Sequence, residues 1–134
     1  MKNVVFDSYA LIAHFKKEKG HEIVSEILSA IAVGERFGFL SLINLGEVYY
    51  MVHGKHGKSS ADQSLHVIHT MPIEIIAPNY EITIVAAKLK ANHEMSYADA
   101  FAAALTISMK ATLITGDKEF KSLEREPNFK MKFI

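Results

Sequence analysis

In Asn3-Val4-Val5-Phe6-Asp7-Ser8-Tyr9-Ala10-Leu11-Ile12, a short apolar run ends on a carboxylate and gives way to a helix. Val4-Val5-Phe6 has the unbroken apolar character of a strand buried on both faces, as in a parallel sheet. Residues 8–17 then read as a helix with Leu11, Ile12 and Phe15 on one face. The grammar returns near the other end, where Ala111-Thr112-Leu113-Ile114-Thr115-Gly116 leads to Asp117 and a short helix over 118–124. Of the four aspartates (Asp7, Asp62, Asp99 and Asp117), Asp7, Asp99 and Asp117 are expected where a strand hands over to a helix. Asp99 falls in the first turn of a helix opened by Ser96. Glu47 lies on a further predicted helix, in Asn44-Leu45-Gly46-Glu47.

The segments between them alternate in the same way. Lys19-Gly20 breaks the first helix, and 21–33 forms a second, with Ile23, Ile27 and Ile31 spaced by four. Phe37-Gly38-Phe39-Leu40 is strand-like. Residues 42–53 and 59–70 read as two helices separated by a break at 54–57. Ile73-Glu74-Ile75-Ile76 is a strand closed by Pro78, 80–91 and 97–109 are helices, and 130–133 is a last strand. Strands alternating with helices imply an α/β fold with a parallel central sheet and helices on both faces. Ligands of such sheets bind at the carboxyl ends of the strands, where Asp7 and Asp117 fall.

A length of 134 residues suits one domain spanning 1–134, and no repeat or linker divides it. An apolar content of 49% supports a core and argues against disorder. Fifteen Lys and Arg balance fifteen Asp and Glu, so the basic excess of a nucleic-acid-coating protein is absent. Local charge and a bound divalent ion leave nucleic acid open as a ligand. The lack of cysteine removes disulfides, thiolate zinc sites, iron–sulfur clusters and thiol nucleophiles. No apolar run reaches the roughly 18 residues of a membrane span, and Asp7 and His14 interrupt the N-terminal apolar stretch, so a cytoplasmic, soluble protein is expected.

Each acid has a structural role open to it. Asp7 and Asp117 can N-cap the helices that follow, Ser96-Tyr97-Ala98-Asp99 has the form of a capping box, and Glu47 can be a solvated helix residue. These roles do not exclude chemistry, since a helix N-terminus favours a carboxylate as the anion. Mg2+ and Mn2+ prefer carboxylate oxygen. Ions held by three or four acids can bind a scissile phosphate, activate water and stabilise the leaving oxygen.

Four stretches together resemble the PIN-domain nucleases, and in length and order the compact VapC-type toxins of toxin–antitoxin pairs. They are Val4-Val5-Phe6-Asp7-Ser8-Tyr9-Ala10-Leu11-Ile12, Asn44-Leu45-Gly46-Glu47, Ser96-Tyr97-Ala98-Asp99-Ala100 and Leu113-Ile114-Thr115-Gly116-Asp117-Lys118-Glu119-Phe120. The resemblance spans essentially the whole chain. It implies a Mg2+- or Mn2+-dependent endoribonuclease with Asp7, Glu47, Asp99 and Asp117 as catalytic metal ligands. Ser8 and Thr115 are then hydroxyl neighbours, Asn44 faces the same pocket from one turn before Glu47, and Glu119 is an extra acid or a solvated first-turn residue; Lys118, a cation that adjoins this predicted site, could contact phosphate. RNA is the implied substrate, an antitoxin the implied partner and a homodimer the implied assembly.

Other readings compete. His53 with His56 and His66 with His69 have spacings that could serve zinc if two helices faced each other. Lys55, His56 and Lys58 form an expected basic loop, open to phosphate or simply solvated. One of Tyr49 and Tyr50 could stack on a base while the other packs inside. A strand-terminal Asp7 could be a phosphoryl-accepting nucleophile, although the partner aspartate two residues on is here Tyr9. A housekeeping RNA-processing nuclease or a non-catalytic binding module would share the fold.

Overall fold

The computed structural model describes residues 2–134. Its elements are β1 (Asn3–Phe6), α1 (Ser8–Lys16), α2 (His21–Ala32), β2 (Phe37–Ser41), α3 (Leu42–Thr70), β3 (Glu74–Ile76), α4 (Tyr80–Asn92), α5 (Tyr97–Ser108), β4 (Thr112–Thr115), a 3-10 helix (Lys118–Leu123) and β5 (Met131–Phe133). The five strands form one sheet in the order β3-β2-β1-β4-β5, and every pairing is parallel. The parallel α/β sheet expected from the alternation is therefore present, with β1 at its centre.

Strand periodicity builds the two faces. Val5, Phe39 and Leu113 point into one apolar cluster with Ala86 and Leu89 of α4 and Phe101 and Leu105 of α5. Val4, Phe6, Leu40 and Ile114 point into the other, with Leu11 of α1, Val24 and Ile31 of α2, and Leu45 and Ile68 of α3. Gly38 allows α2 close access to the sheet, since a Cβ there would lie 2.5 Å from Ile31 Cδ1.

All the helices around the site begin at the carboxyl edge with a side-chain cap. Asp7 caps α1, Ser41 caps α3 and Ser96 caps α5. Asp117 caps the 3-10 helix. The segment that follows is tied to the end of α4 by His93 Nε2 and Glu126 Oε1, 2.6 Å apart.

Four expectations need correction. The break at 54–57 shrinks to one residue: α3 runs on through Gly54 and kinks at Gly57, whose φ of 87° and ψ of 174° are open essentially to glycine alone. Lys55, His56 and Lys58 are thus helical and not a loop, and Lys58 Nζ pairs with Asp62 2.7 Å away. The segment after Asp117 forms a 3-10 helix and not an α-helix. Asp99 follows α4 and a turn, so helix hands over to helix there and not strand to helix.

Candidate metal centre

β1 is the central strand, so the residue that ends it is covered on every side: Asp7 is 1% exposed. Its Oδ1 accepts the Ala10 N–H at 2.8 Å, which caps α1, and its Oδ2 accepts the Thr115 hydroxyl from the end of β4. The same Thr115 Oγ1 accepts the Asp117 N–H at 3.0 Å. One hydroxyl therefore fixes two acids more than a hundred positions apart in the chain. Asp117 Oδ1 in turn accepts the Glu119 N–H at 2.9 Å.

Glu47 comes from the second turn of α3. Its Oε1 accepts the Ser8 hydroxyl and, at 3.4 Å, Asn44 Nδ2; its Oε2 lies 3.4 Å from the Tyr50 hydroxyl. Asn44 is fully buried and also reaches the Ala98 carbonyl at 3.4 Å, which ties α3 to the start of α5. Its Oδ1 is the one buried side-chain acceptor without a partner among the described residues. Asp99, 6% exposed, sits in the first turn of α5, whose cap is completed by the Asp99 N–H donating to Ser96 Oγ at 3.1 Å.

These groups surround a cavity of about 200 Å³ lined by Ser8, Tyr9, Glu47, Met51, Ser96, Asp99, Asp117 and Glu119. Four of the eight are acids and none is a cation. Carboxylate oxygens of Asp99, Asp117 and Glu119 can lie within 4.8 Å of one another, while Glu47 lines the same space and Asp7 lies beneath it. Of the residues marked out in the sequence, Thr115 and Asn44 are buried behind the carboxylates, and Lys118 is exposed and does not line the cavity. No histidine joins a cluster able to hold a metal among the described residues. Tyr50 is 63% exposed, while Tyr49 is half-buried and donates to Asp62 Oδ1 at 2.9 Å. Sequence reasoning passed over Tyr9, Met51 and Ser96 as lining residues; adjacency to Ser8 and to the Asp99 cap was the available signal for two of them.

Crowding has an electrostatic consequence. Asp99 is pushed up to about 8, first by burial and then by the charges of Asp117, Glu47 and Asp7. Asp7 is raised to about 7 by burial, with Asp117 and Glu47 adding to it and the bonds from Thr115 and Ala10 opposing. A donor set of carboxylates, with no side-chain cation among the lining residues to relieve it, matches a hard divalent cation such as Mg2+ or Mn2+.

A family model described as the PIN domain matches residues 4–126. No curated relative matches the chain. Among solved structures, VapBC2 of Rickettsia felis, bound to a DNA fragment from its promoter, aligns at 21% identity over 98% of both chains with a TM-score of 0.76. VapBC-1 of nontypeable Haemophilus influenzae aligns at 18% identity over 98% of this chain and 97% of that one, with a TM-score of 0.74. VapC20 of Mycobacterium tuberculosis, a sarcin-ricin loop cleaving toxin, aligns at 13% identity over 90% and 95% with a TM-score of 0.71. At these identities the likeness is one of fold.

Proposed function

Because the chain belongs to the PIN domain family, we propose that it is a divalent-metal-dependent endoribonuclease and the toxin of a toxin–antitoxin pair. The observation that carries this reading is the cation-free, acid-lined cavity at the carboxyl edge of the sheet. Asp99, Asp117, Glu119 and Glu47 would hold Mg2+ or Mn2+, with Asp7 beneath them as a further candidate ligand. When bound, the ion supplies charge to the scissile phosphate and an activated water.

The chain's own residues do the positioning. Ser8, Asn44 and Tyr50 donate to Glu47 and fix where its carboxylate points. Thr115 locks Asp7 to the backbone of Asp117, so the ends of β1 and β4 present their acids as one unit. Asp7 and Asp99, both raised toward neutrality, keep protons at their carboxyl oxygens that a cation must displace. Metal binding is therefore expected to strengthen from pH 6 to pH 8.

The toxin assignment is supported by the VapBC structures among the neighbours. An antitoxin partner, a homodimer, RNA as substrate, a single domain over 1–134 and a cytoplasmic site of action belong to the same reading. No helix among the described residues is long and apolar enough to cross a membrane, which is compatible with it. The test is cleavage of mixed cellular RNA by wild type and Asp99→Asn, with Mg2+, Mn2+ or EDTA. Cleavage that needs both metal and Asp99 is expected. Folded, partner-free protein that cuts nothing, and whose melting temperature no divalent ion shifts, would remove the reading.

A further inference from the structure

Tyr9 is the aromatic side chain that lines the acidic cavity, and none of the bonds that hold the carboxylates explains it. It follows Ser8 at the start of α1, so its Cα is fixed by the Asp7 cap. Its ring lies over Gly116. A Cβ on Gly116 would meet Tyr9 Cε1 at 2.3 Å and Cδ1 and Cζ at 2.9 Å. Gly116 is not among the residues with positive φ, so the turn itself does not require a glycine. What requires it is the ring, which fills the space a side chain would occupy. The tyrosine nevertheless remains 46% exposed. An aromatic ring supported by backbone on one side and open on the other, at the mouth of a phosphate-seeking pocket, has the form of a stacking surface for a base.

The lining residues point the same way. With no Lys, Arg or His at the cavity, the side chains there offer a polyanion no direct charge attraction, and an unpaired base next to the reacting phosphate is the part of a nucleotide they can hold. Tyr50, though more exposed, is turned to Glu47 by its hydroxyl. Tyr97 packs on Phe101 with ring centroids 4.7 Å apart. Tyr9 alone of the three both lines the cavity and is buttressed by backbone.

We infer that Tyr9 is a substrate-binding residue, on which a base flanking the scissile phosphate stacks, so that the site selects an unpaired nucleotide. This inference rests on the nuclease reading. Binding of a fluorescent single-stranded oligoribonucleotide is measured with Ca2+, and cleavage of the same strand with Mg2+. Wild type is compared with Tyr9→Phe and Tyr9→Ala, and the intact strand with strands carrying one abasic residue at successive positions. Tyr9→Phe keeps wild-type affinity. Tyr9→Ala weakens binding by roughly 5- to 150-fold, the range for loss of one stacked base. One abasic position weakens wild type by a similar factor and Tyr9→Ala hardly at all, a non-additivity that a merely structural role would not produce.

Equal binding by wild type and Tyr9→Ala overturns the inference while leaving the nuclease intact. Additive losses at every abasic position overturn it too, because Tyr9 would then act through the fold. Binding without any cleavage removes the nuclease reading, and the cycle still decides the role of Tyr9. Absence of binding by wild type removes both.

Discussion

The two ends of the parallel sheet carry opposite chemistry. At the carboxyl end stand Asp7, Glu47, Asp99, Asp117 and Glu119 around or beneath a cavity of about 200 Å³. At the amino end a larger cavity, about 370 Å³, is lined by Ile107, Lys110, Ala111, Asn128 and Lys130, with two cations and no acid. Both ends agree with the helix dipoles, since α1, α3 and α5 begin at the acidic end and α5 finishes beside Lys110. The difference is crowding. The acidic end gathers more like charge than its helix termini can compensate, and burial and repulsion lift Asp7 and Asp99. A formal net charge of zero conceals this separation.

The contrast can be broken most directly by activity. Asp99→Asn and Asp7→Asn are each expected to lower the rate of RNA cleavage about 100- to 1000-fold, the scale for loss of a preorganised electrostatic group. Lys110→Gln and Lys130→Gln, at the other end, should stay within about twofold of wild type. Equal losses at both ends would mean that the amino-end cavity also takes part in the reaction.

Stability should then invert the ranking. Asp7 titrates at about 7 in the folded protein against 3.8 for a free aspartate. Between those values the folded chain keeps a proton the unfolded chain has released, so the contribution of Asp7 to metal-free stability is greatest below about pH 4 and falls as pH rises to 7. The loss attributable to Asp7 is of the order of 4 kcal/mol, and Asp7→Asn removes it. Chemical denaturation from pH 4 to 8 in EDTA measures it; a flat wild-type profile would show that the burial of Asp7 carries no such cost.

A divalent ion should reverse that loss at the acidic end alone. Mg2+ at about one hundred times its pH 8 dissociation constant stabilises by about 2.7 kcal/mol at pH 8, and the same concentration stabilises less at pH 6, where binding is weaker. Melting curves of wild type and Asp99→Asn with and without Mg2+ test this, and an equal shift in both proteins would place the ion elsewhere. The smallest expected effect belongs to the amino end, where Asn3 Nδ2 donates to the Met109 carbonyl at 3.1 Å. Asn3→Ala should cost about 1 kcal/mol in denaturant titration and leave the Mg2+ response unchanged.

Much of this arrangement was legible in the residues, and what escaped has physical reasons. Val4-Val5-Phe6 and Leu113-Ile114 declare buried strands because apolar runs that short have few other uses. Asp7, Ser96 and Asp117 declare helix starts because their oxygens satisfy free N–H groups. Depth is another matter. That Asp7 is sealed under the cavity while the exposed Glu119 joins Asp99 and Asp117 at its wall depends on β1 being central and on where the 3-10 helix places Glu119, neither of which a linear pattern encodes. Gly54 and Gly57 look alike on paper, yet only Gly57 leaves helical geometry. The contact of Tyr9 with Gly116 joins residues from opposite ends of the chain, beyond the reach of any local signal.

The strand order β3-β2-β1-β4-β5 also sets a clock. β1 is made well before its neighbour β4, and with β4 come Thr115, Asp117 and Glu119, more than a hundred residues later in the chain. At synthesis rates of roughly 5–20 residues per second, Asp7 waits on the order of 5 to 20 s for the segment that completes its surroundings. A nascent chain whose left half has already folded still lacks the acids of its right half. For a protein that would cut RNA, the topology keeps the blade unassembled until β4 and the 3-10 helix after it have been made.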